Sequence, residues 1–226
     1  MLKLAENTTI RDQVLQQVRN LITSNTIPPG DRLYEEKLAS EIGVSRTPIR
    51  EALHTLEREG FLESIPRVGY VVKIPEIEDF EEIIEIRQAL ESLTAISAAH
   101  KLNKSFLKDV ENNLKKTYGI IKKGEVDKFM DLNDEFHEII DKASGKKRIC
   151  EMNRRLRDYM YFYRIRNIID KSIAQRALAA HERIVKAIKN KDEDKIRQEI
   201  CSHLEGLKTR ALTNIFKDTS DDTKGS

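Results

Sequence analysis

Strand-forming sequence in this chain is confined to residues 61–74. Phe61-Leu62-Glu63-Ser64-Ile65 and Tyr70-Val71-Val72-Lys73-Ile74 are short β-rich runs, and Pro66-Arg67-Val68-Gly69 between them reads as the tight tip of a hairpin that Pro75 closes. Everywhere else the apolar residues recur at helical spacing. One hairpin cannot build a sandwich, a barrel or a parallel sheet, so the fold is expected to be mainly α, with the hairpin serving one end. Composition agrees: aromatic residues are 6% with no Trp, charged residues 35%, and the 39% hydrophobic content is enough for a core and too much for a disordered chain.

The residues before the hairpin predict three short helices. Thr9, with Asp12 three positions on, has the form of a capping box, and Val14, Val18 and Leu21 follow until Pro28-Pro29-Gly30 forces a turn. A second helix is expected over about Tyr34 to Glu41, with Leu38 and Ile42 inward and Gly43 ending it. Ser45 is placed to cap the third, with Pro48 in its first turn, Ile49, Leu53 and Leu56 on one face, and Gly60 as its stop. Three helices followed by a hairpin is the order of a winged helix-turn-helix, a fold that sets its third helix in the major groove of DNA.

From Glu76 the pattern is helical throughout. Helices are expected over about 78–101, 104–123, 125–143, 148–169, 172–190 and 193–216, broken at Gly124, Ser144-Gly145, Asp170-Lys171 and Asn190-Lys191-Asp192. The expectation is an N-terminal winged helix-turn-helix domain (1–75), an all-α six-helix antiparallel bundle (76–216) and a disordered polar tail (217–226). Cys150 and Cys201 stand far apart with no paired spacing, which excludes a disulfide framework or a thiolate zinc site. No run of about 18 apolar residues occurs, and Met1–Thr9 lacks a signal-peptide stretch, so no membrane association and a cytoplasmic location are expected.

Arg46 and Arg50 lie one turn apart on the third helix, and two guanidiniums on one face can fork onto guanine edges or phosphates. Arg67 adds a cation at the hairpin tip. As ordinary surface charge, the same arginines would pair with Glu51 or Glu57, and charge alone leaves the two readings level. Residues Leu33–Glu59 tip the balance. Their core GVSRTPIREAL, Gly43 to Leu53, closely resembles the N-terminal domain of the GntR family of bacterial transcription regulators. The resemblance implies that Arg46 and Arg50 contact an operator, with Ser45, Thr47 and Pro48 around them, Arg32 on a phosphate, and Arg67 and Gly69 in the wing. His54, one turn past Arg50, is expected to be a surface or half-buried residue. Residues 1–75 carry ten basic and ten acidic side chains, so one copy should bind weakly and a homodimer on a palindromic operator is expected.

In the helical stretch Asn133 and His137 share one face. His181 and His203 are equidistant from the turn at residue 192, so in an antiparallel hairpin they would sit at one height and converge. With Asn133 and His137 on a third helix they could form a nitrogen and oxygen cage suited to Zn, Ni or Mn. Spacing alone leaves this evenly matched with ordinary polar histidines. His100 has no such company and reads as surface. The stretches Glu81–Ala99, Phe129–Ile149 and Ala177–Ile196, with His203, resemble the FCD ligand-binding domain of the FadR subfamily of GntR regulators. The resemblance implies a divalent metal at Asn133, His137, His181 and His203, where Asn133 departs from the usual aspartate and offers a weaker ligand.

That subfamily often has an arginine near its effector pocket. Arg87 matches it, although a bridge to Glu91 at i+4 is the slightly better reading. Of the stretch holding Arg154, Arg155, Arg157, Arg164 and Arg166 with Tyr159, Tyr161, Phe162 and Tyr163, part should line the effector cavity and part face solvent. The expected function is a DNA-binding regulator, a repressor on family analogy, released by a small carboxylate effector bound at the metal. A metal-free pocket for an acyl chain is the alternative. A metal-dependent hydrolase is a third, disfavoured because no hydrolase motif accompanies the histidines.

Overall fold

The computed structural model of the protein describes residues 9–24, 26–74, 76–164 and 170–214, and the side chains of Tyr159, 161–164 and 210–214 fall outside it as well. Pro75, the tail from 217, and Tyr159, Tyr161, Phe162, Tyr163, Arg164 and Arg166, which figured in the sequence reading, therefore lie outside the described residues. The chain divides into two compact units, the first chiefly the residues up to Glu76 and the second those from Ile77 on.

In the first unit, α1 (Ile10–Thr23) opens on Thr9, whose hydroxyl accepts from the Asp12 amide while the Asp12 carboxylate accepts from the Thr9 amide, a reciprocal capping box. Val14, Val18 and Ile22 are its buried stripe; the expected Leu21 is only half-buried, because i, i+4, i+8 lies straighter along the helix. Helix α2 (Glu35–Ile42) ends at Gly43 with φ 78°, a left-handed cap for which glycine carries no Cβ penalty. Helix α3 (Arg46–Arg58) buries Ile49, Ala52, Leu53 and Leu56 against α1 and α2. Ser45 holds the N-cap position of α3, but its side chain makes no capping hydrogen bond, contrary to expectation.

The hairpin forms as β2 (Leu62–Ile65) and β3 (Gly69–Val72), but the sheet has a third strand. β1 (Arg32–Leu33) pairs antiparallel with β3, Arg32 opposite Val71 and Leu33 opposite Tyr70, giving the order β1-β3-β2. Arg32 thus belongs to the wing sheet. Gly69, at φ 103°, sits where a Cβ would come 3.3 Å from the Leu33 carbonyl oxygen, so glycine is what lets β1 close on the hairpin.

The second unit is helical: α4 (Ile77–His100), α5 (Lys104–Lys123), a 3-10 turn (Val126–Lys128), α6 (Phe129–Ser144), α7 (Lys147–Arg164), α8 (Lys171–Asn190) and α9 (Glu193–Asn214). Asn103 caps α5 and Asp170 caps α8 through their side chains, while Gly124 and Gly145 end α5 and α6 in left-handed conformation. Helix α4 is the hub, packed on α6, α8 and α9. Its inward residues are polar as well as apolar, since Arg87, Glu91, Ser92 and Thr94 are buried beside Phe80, Ile84 and Ala95. A helix that buries this many polar groups must supply them with partners, and those partners form the site.

Candidate DNA-reading face and candidate metal centre

On α3, Arg46 and Arg50 project one turn apart into solvent, with Ser45 and Thr47 exposed and Pro48 half-buried. Neither arginine pairs with Glu51 or Glu57. Both reach back to the first turn of α2. The terminal Nη2 of Arg46 forms an ion pair with Glu36. Arg50 donates from Nε to both oxygens of Glu35, at 2.9 and 3.1 Å, and from Nη2 to Oε2 at 2.7 Å. These hydrogen bonds lower the Glu35 pKa below the ordinary glutamate value and raise that of Arg50. The helix-turn-helix geometry explains the pairing, because a three-residue turn brings the start of α2 beside the start of α3. His54 is exposed and lies 2.9 Å from the Tyr70 hydroxyl and 3.3 Å from Glu57, tying α3 to the wing.

Arg67 occupies the wing tip with φ 67°. Val68 donates to the Ile65 carbonyl at 3.0 Å, so Ile65-Pro66-Arg67-Val68 is a β-turn with proline second and a positive φ third, a place that normally takes glycine or asparagine. An arginine there costs about 1 kcal/mol of backbone strain. Its guanidinium is exposed.

In the second unit, α6, α8 and α9 bring His137, His181 and His203 together, with one ring nitrogen of each within 4.8 Å of the others. The rings of His181 and His203 lie 4.8 Å apart, and each lies about as far from His137, at 5.4 and 5.5 Å. Nε2 of His137 and Nε2 of His181 are buried and have no hydrogen-bond partner among the described residues. Burial, then the neighbouring charges of His203 and His137, hold the His181 pKa well below the usual histidine value, so its ring is neutral and offers a lone pair. Phe136 stacks on His181 at 3.8 Å and fixes its plane. Asn133 is buried one turn before His137, and its amide nitrogen donates to Asp134 at 3.2 Å.

Behind the histidines stands a buried charge network. Glu91 Oε2 lies 3.2 Å from His137 Nδ1, while Oε1 accepts from Arg87 Nε and Nη2 at 2.9 and 2.7 Å. Burial would raise the pKa of Glu91, but the charge of Arg87 and then of His137 outweighs it and holds the carboxyl well below its ordinary range. Glu91 thereby engages Nδ1 of His137 and leaves Nε2 as the ring nitrogen without a described partner, the role that carboxylates play behind metal-binding histidines. Asp141 accepts from Asn153 at 2.8 Å and from Arg157 at 2.9 Å. Arg157, His137, Glu91 and Asp141 share a cavity of about 10 Å³, the room of one water-sized group. Arg154 and Arg155 face solvent, and so does His100, which lies 2.9 Å from Glu193.

Two family models match the chain: bacterial regulatory proteins of the gntR family over residues 10–72, and the FCD domain over residues 82–206. The HTH-type transcriptional regulator YdhC of Bacillus subtilis is 31% identical over 202 residues, covering 89% of this chain and 90% of that protein. The chain belongs to the GntR family. This GntR regulator is also 25% identical over 212 residues to the Escherichia coli transcriptional repressor RspR, covering 94% of this chain and 92% of that one. The solved structure of Escherichia coli McbR/YncC shares its fold, with a TM-score of 0.76 at 23% identity over 92% of this chain and 99% of that one. Its relatives are transcription regulators, not enzymes, and among the described residues no helix is long and apolar enough to cross a membrane.

In this GntR regulator the strained wing tip lets the backbone effect of Arg67 be measured apart from a contact with DNA. Arg67→Gly should leave thermal stability unchanged or raise it by up to about 1 kcal/mol, since relief of strain is offset by the entropy of glycine in the unfolded chain. The same variant should bind duplex DNA more weakly, with a log-log salt slope smaller by about one unit. Calorimetry and salt-titrated anisotropy measure the two effects, and a matched loss of both would assign Arg67 to the wing's folding alone.

Proposed function

We propose that the protein is a cytoplasmic repressor that binds a palindromic operator as a homodimer and lets go when a small carboxylate enters its helical unit at a protein-bound divalent cation. Arg46 and Arg50, with Ser45, Thr47 and Pro48 around them, read the major groove, and Arg32 and Arg67 hold phosphates from the wing. The second unit contributes Ile86 and Leu93, seven residues apart on α4 and more than two-fifths exposed, as an apolar stripe for the partner copy.

The observation that carries the effector reading is the pair of buried, unpartnered Nε2 atoms of His137 and His181 beside His203. Two orphaned ring nitrogens in an interior are costly unless something binds them, and three imidazoles suit zinc or nickel better than manganese, which prefers oxygen. Asn133 would add an amide oxygen only by turning its carbonyl to the cluster. Arg87 is engaged by Glu91, so its contribution is to hold the residue that orients His137. The cavity beside His137 holds one water-sized group, so an effector of either kind must open it on entry.

A thermal-shift screen of metal-loaded and chelator-stripped protein against small carboxylates and fatty acyl thioesters tests this, followed by gel shift on duplex DNA. Carboxylates should stabilise only the loaded form and release DNA. Stabilisation of the stripped form by an acyl thioester would overturn the reading.

A further inference from the structure

The two arginines of α3 are held differently. The ion pair of Arg46 with Glu36 is a contact at Nη2 with no side-edge hydrogen bond from Nε beside it among those described. The bond of Arg50 to Glu35 runs along the side edge of the guanidinium, through Nε and one hydrogen of Nη2. Its end fork, Nη1 with the second hydrogen of Nη2, donates to no described residue. That fork is the edge that matches O6 and N7 of guanine. Glu35 can therefore stay bound while Arg50 reads a base. The burial of the two acids agrees: the Glu35 side chain is 26% exposed and that of Glu36 is 74%.

We propose that Glu35 is a positioning residue for base recognition: it clamps the side edge of Arg50 so that the end fork meets a guanine of the operator, while Glu36 only tempers affinity through Arg46. This rests on the reading of α3 as the helix that enters the groove. An unclamped arginine samples many rotamers and can grip any nearby phosphate, so it adds affinity without choice of base. A clamped one has its fork fixed in direction, and the entropy of fixing it is already spent before DNA arrives. A carboxylate held this close to a base-reading arginine also repels phosphates. The clamp and the repulsion thus push specificity the same way and affinity opposite ways.

The full chain as wild type, Glu35→Gln, Glu36→Gln and Arg50→Lys is put through selection on a randomised duplex library. Each protein is then titrated against the wild-type consensus and its single-pair variants. The two Gln substitutions remove the same charge, but a Gln at position 35 presents its amide N–H groups to the N–H donors of Arg50 and cannot clamp both. Arg50→Lys keeps the charge and loses the fork. Glu35→Gln and Arg50→Lys should lose preference for the same guanine, about tenfold each, and keep their other preferences. Glu36→Gln should keep every preference and bind all duplexes more tightly. If Glu35→Gln keeps the guanine preference and merely behaves as Glu36→Gln does, or loses preference at a pair that Arg50→Lys leaves intact, the clamp is wrong while DNA reading by α3 stands. A wild type that enriches no sequence, with the selection working for a control protein, would overturn the DNA-reading assignment and the clamp with it.

Discussion

Replacing Glu91 with alanine is expected to cost the helical unit about 3–5 kcal/mol, the usual penalty for breaking a buried ion pair by removing one member. Arg87 is only 1% exposed and spends Nε and Nη2 on Glu91. That guanidinium lies in the interior, and an arginine cannot shed its proton to escape. His137 loses its hydrogen-bonded neighbour at the same time. The loss should appear in urea unfolding as a lower midpoint of the helical unit's transition. Glu91→Gln keeps an acceptor for Arg87 and should lose less. The pair replacement Arg87→Met with Glu91→Leu should recover most of the stability, because apolar groups of like volume carry no desolvation cost. It should not recover binding of divalent cations, which the loss of an orienting carboxylate weakens by about 10–100-fold. A Glu91→Ala protein within about 1 kcal/mol of wild type would mean that the network does not hold the helices together.

How legible these features were depends on how local their causes are. Gly43, Gly124 and Gly145 end helices by their own backbone freedom, and Thr9 with Asp12 begins one within a single turn, so each could be read from a few neighbouring letters. The Arg87–Glu91 bridge was readable for the same reason, being one helical turn long. The convergence of His181 and His203 needed one further step, the symmetry of a helical hairpin about its turn. By contrast β1 consists of two residues, too few to show a period, and exists only because β3 offers it hydrogen bonds from forty residues away. The side chain of Ser45 was expected to cap α3 and does not, since occupancy of a cap position does not dictate the rotamer. The acids that hold Arg46 and Arg50 lie on the preceding helix, where spacing within α3 could not point. Glu91 was visible as a partner of Arg87. Its second bond, to His137 on α6, required knowing that α4 packs on α6. The sequence thus discloses which side chains carry chemistry better than which ones hold them in place.

Loading the histidine cluster with zinc or nickel at a thousandfold excess over its dissociation constant should stabilise the protein by about 4 kcal/mol, the mass-action gain of a ligand that binds only the folded state. His181→Leu should abolish that gain, and in chelator-stripped protein the same substitution should be neutral or stabilising. The opposite signs follow from one cause. Burial, reinforced by His203 and His137, holds the His181 pKa well below its ordinary value of 6.5 in the folded state, while the unfolded chain titrates at the ordinary value. As pH falls through 6.5 the unfolded state takes up a proton that the folded state refuses, so stripped wild-type protein should be most stable above 6.5 and weaken progressively below it. Leucine has no proton to refuse, fills a similar volume against Phe136, and should flatten that part of the acid slope. Bound metal should flatten it differently, holding the imidazole deprotonated until protons displace the ion. Melting temperatures of both proteins, stripped and loaded, across pH 5.0 to 8.0 resolve these four cases against the ordinary histidine range. Equal acid slopes in stripped wild type and stripped His181→Leu would show that His181 keeps an ordinary pKa in the folded protein, and a metal-induced rise that survives the substitution would place the cation elsewhere.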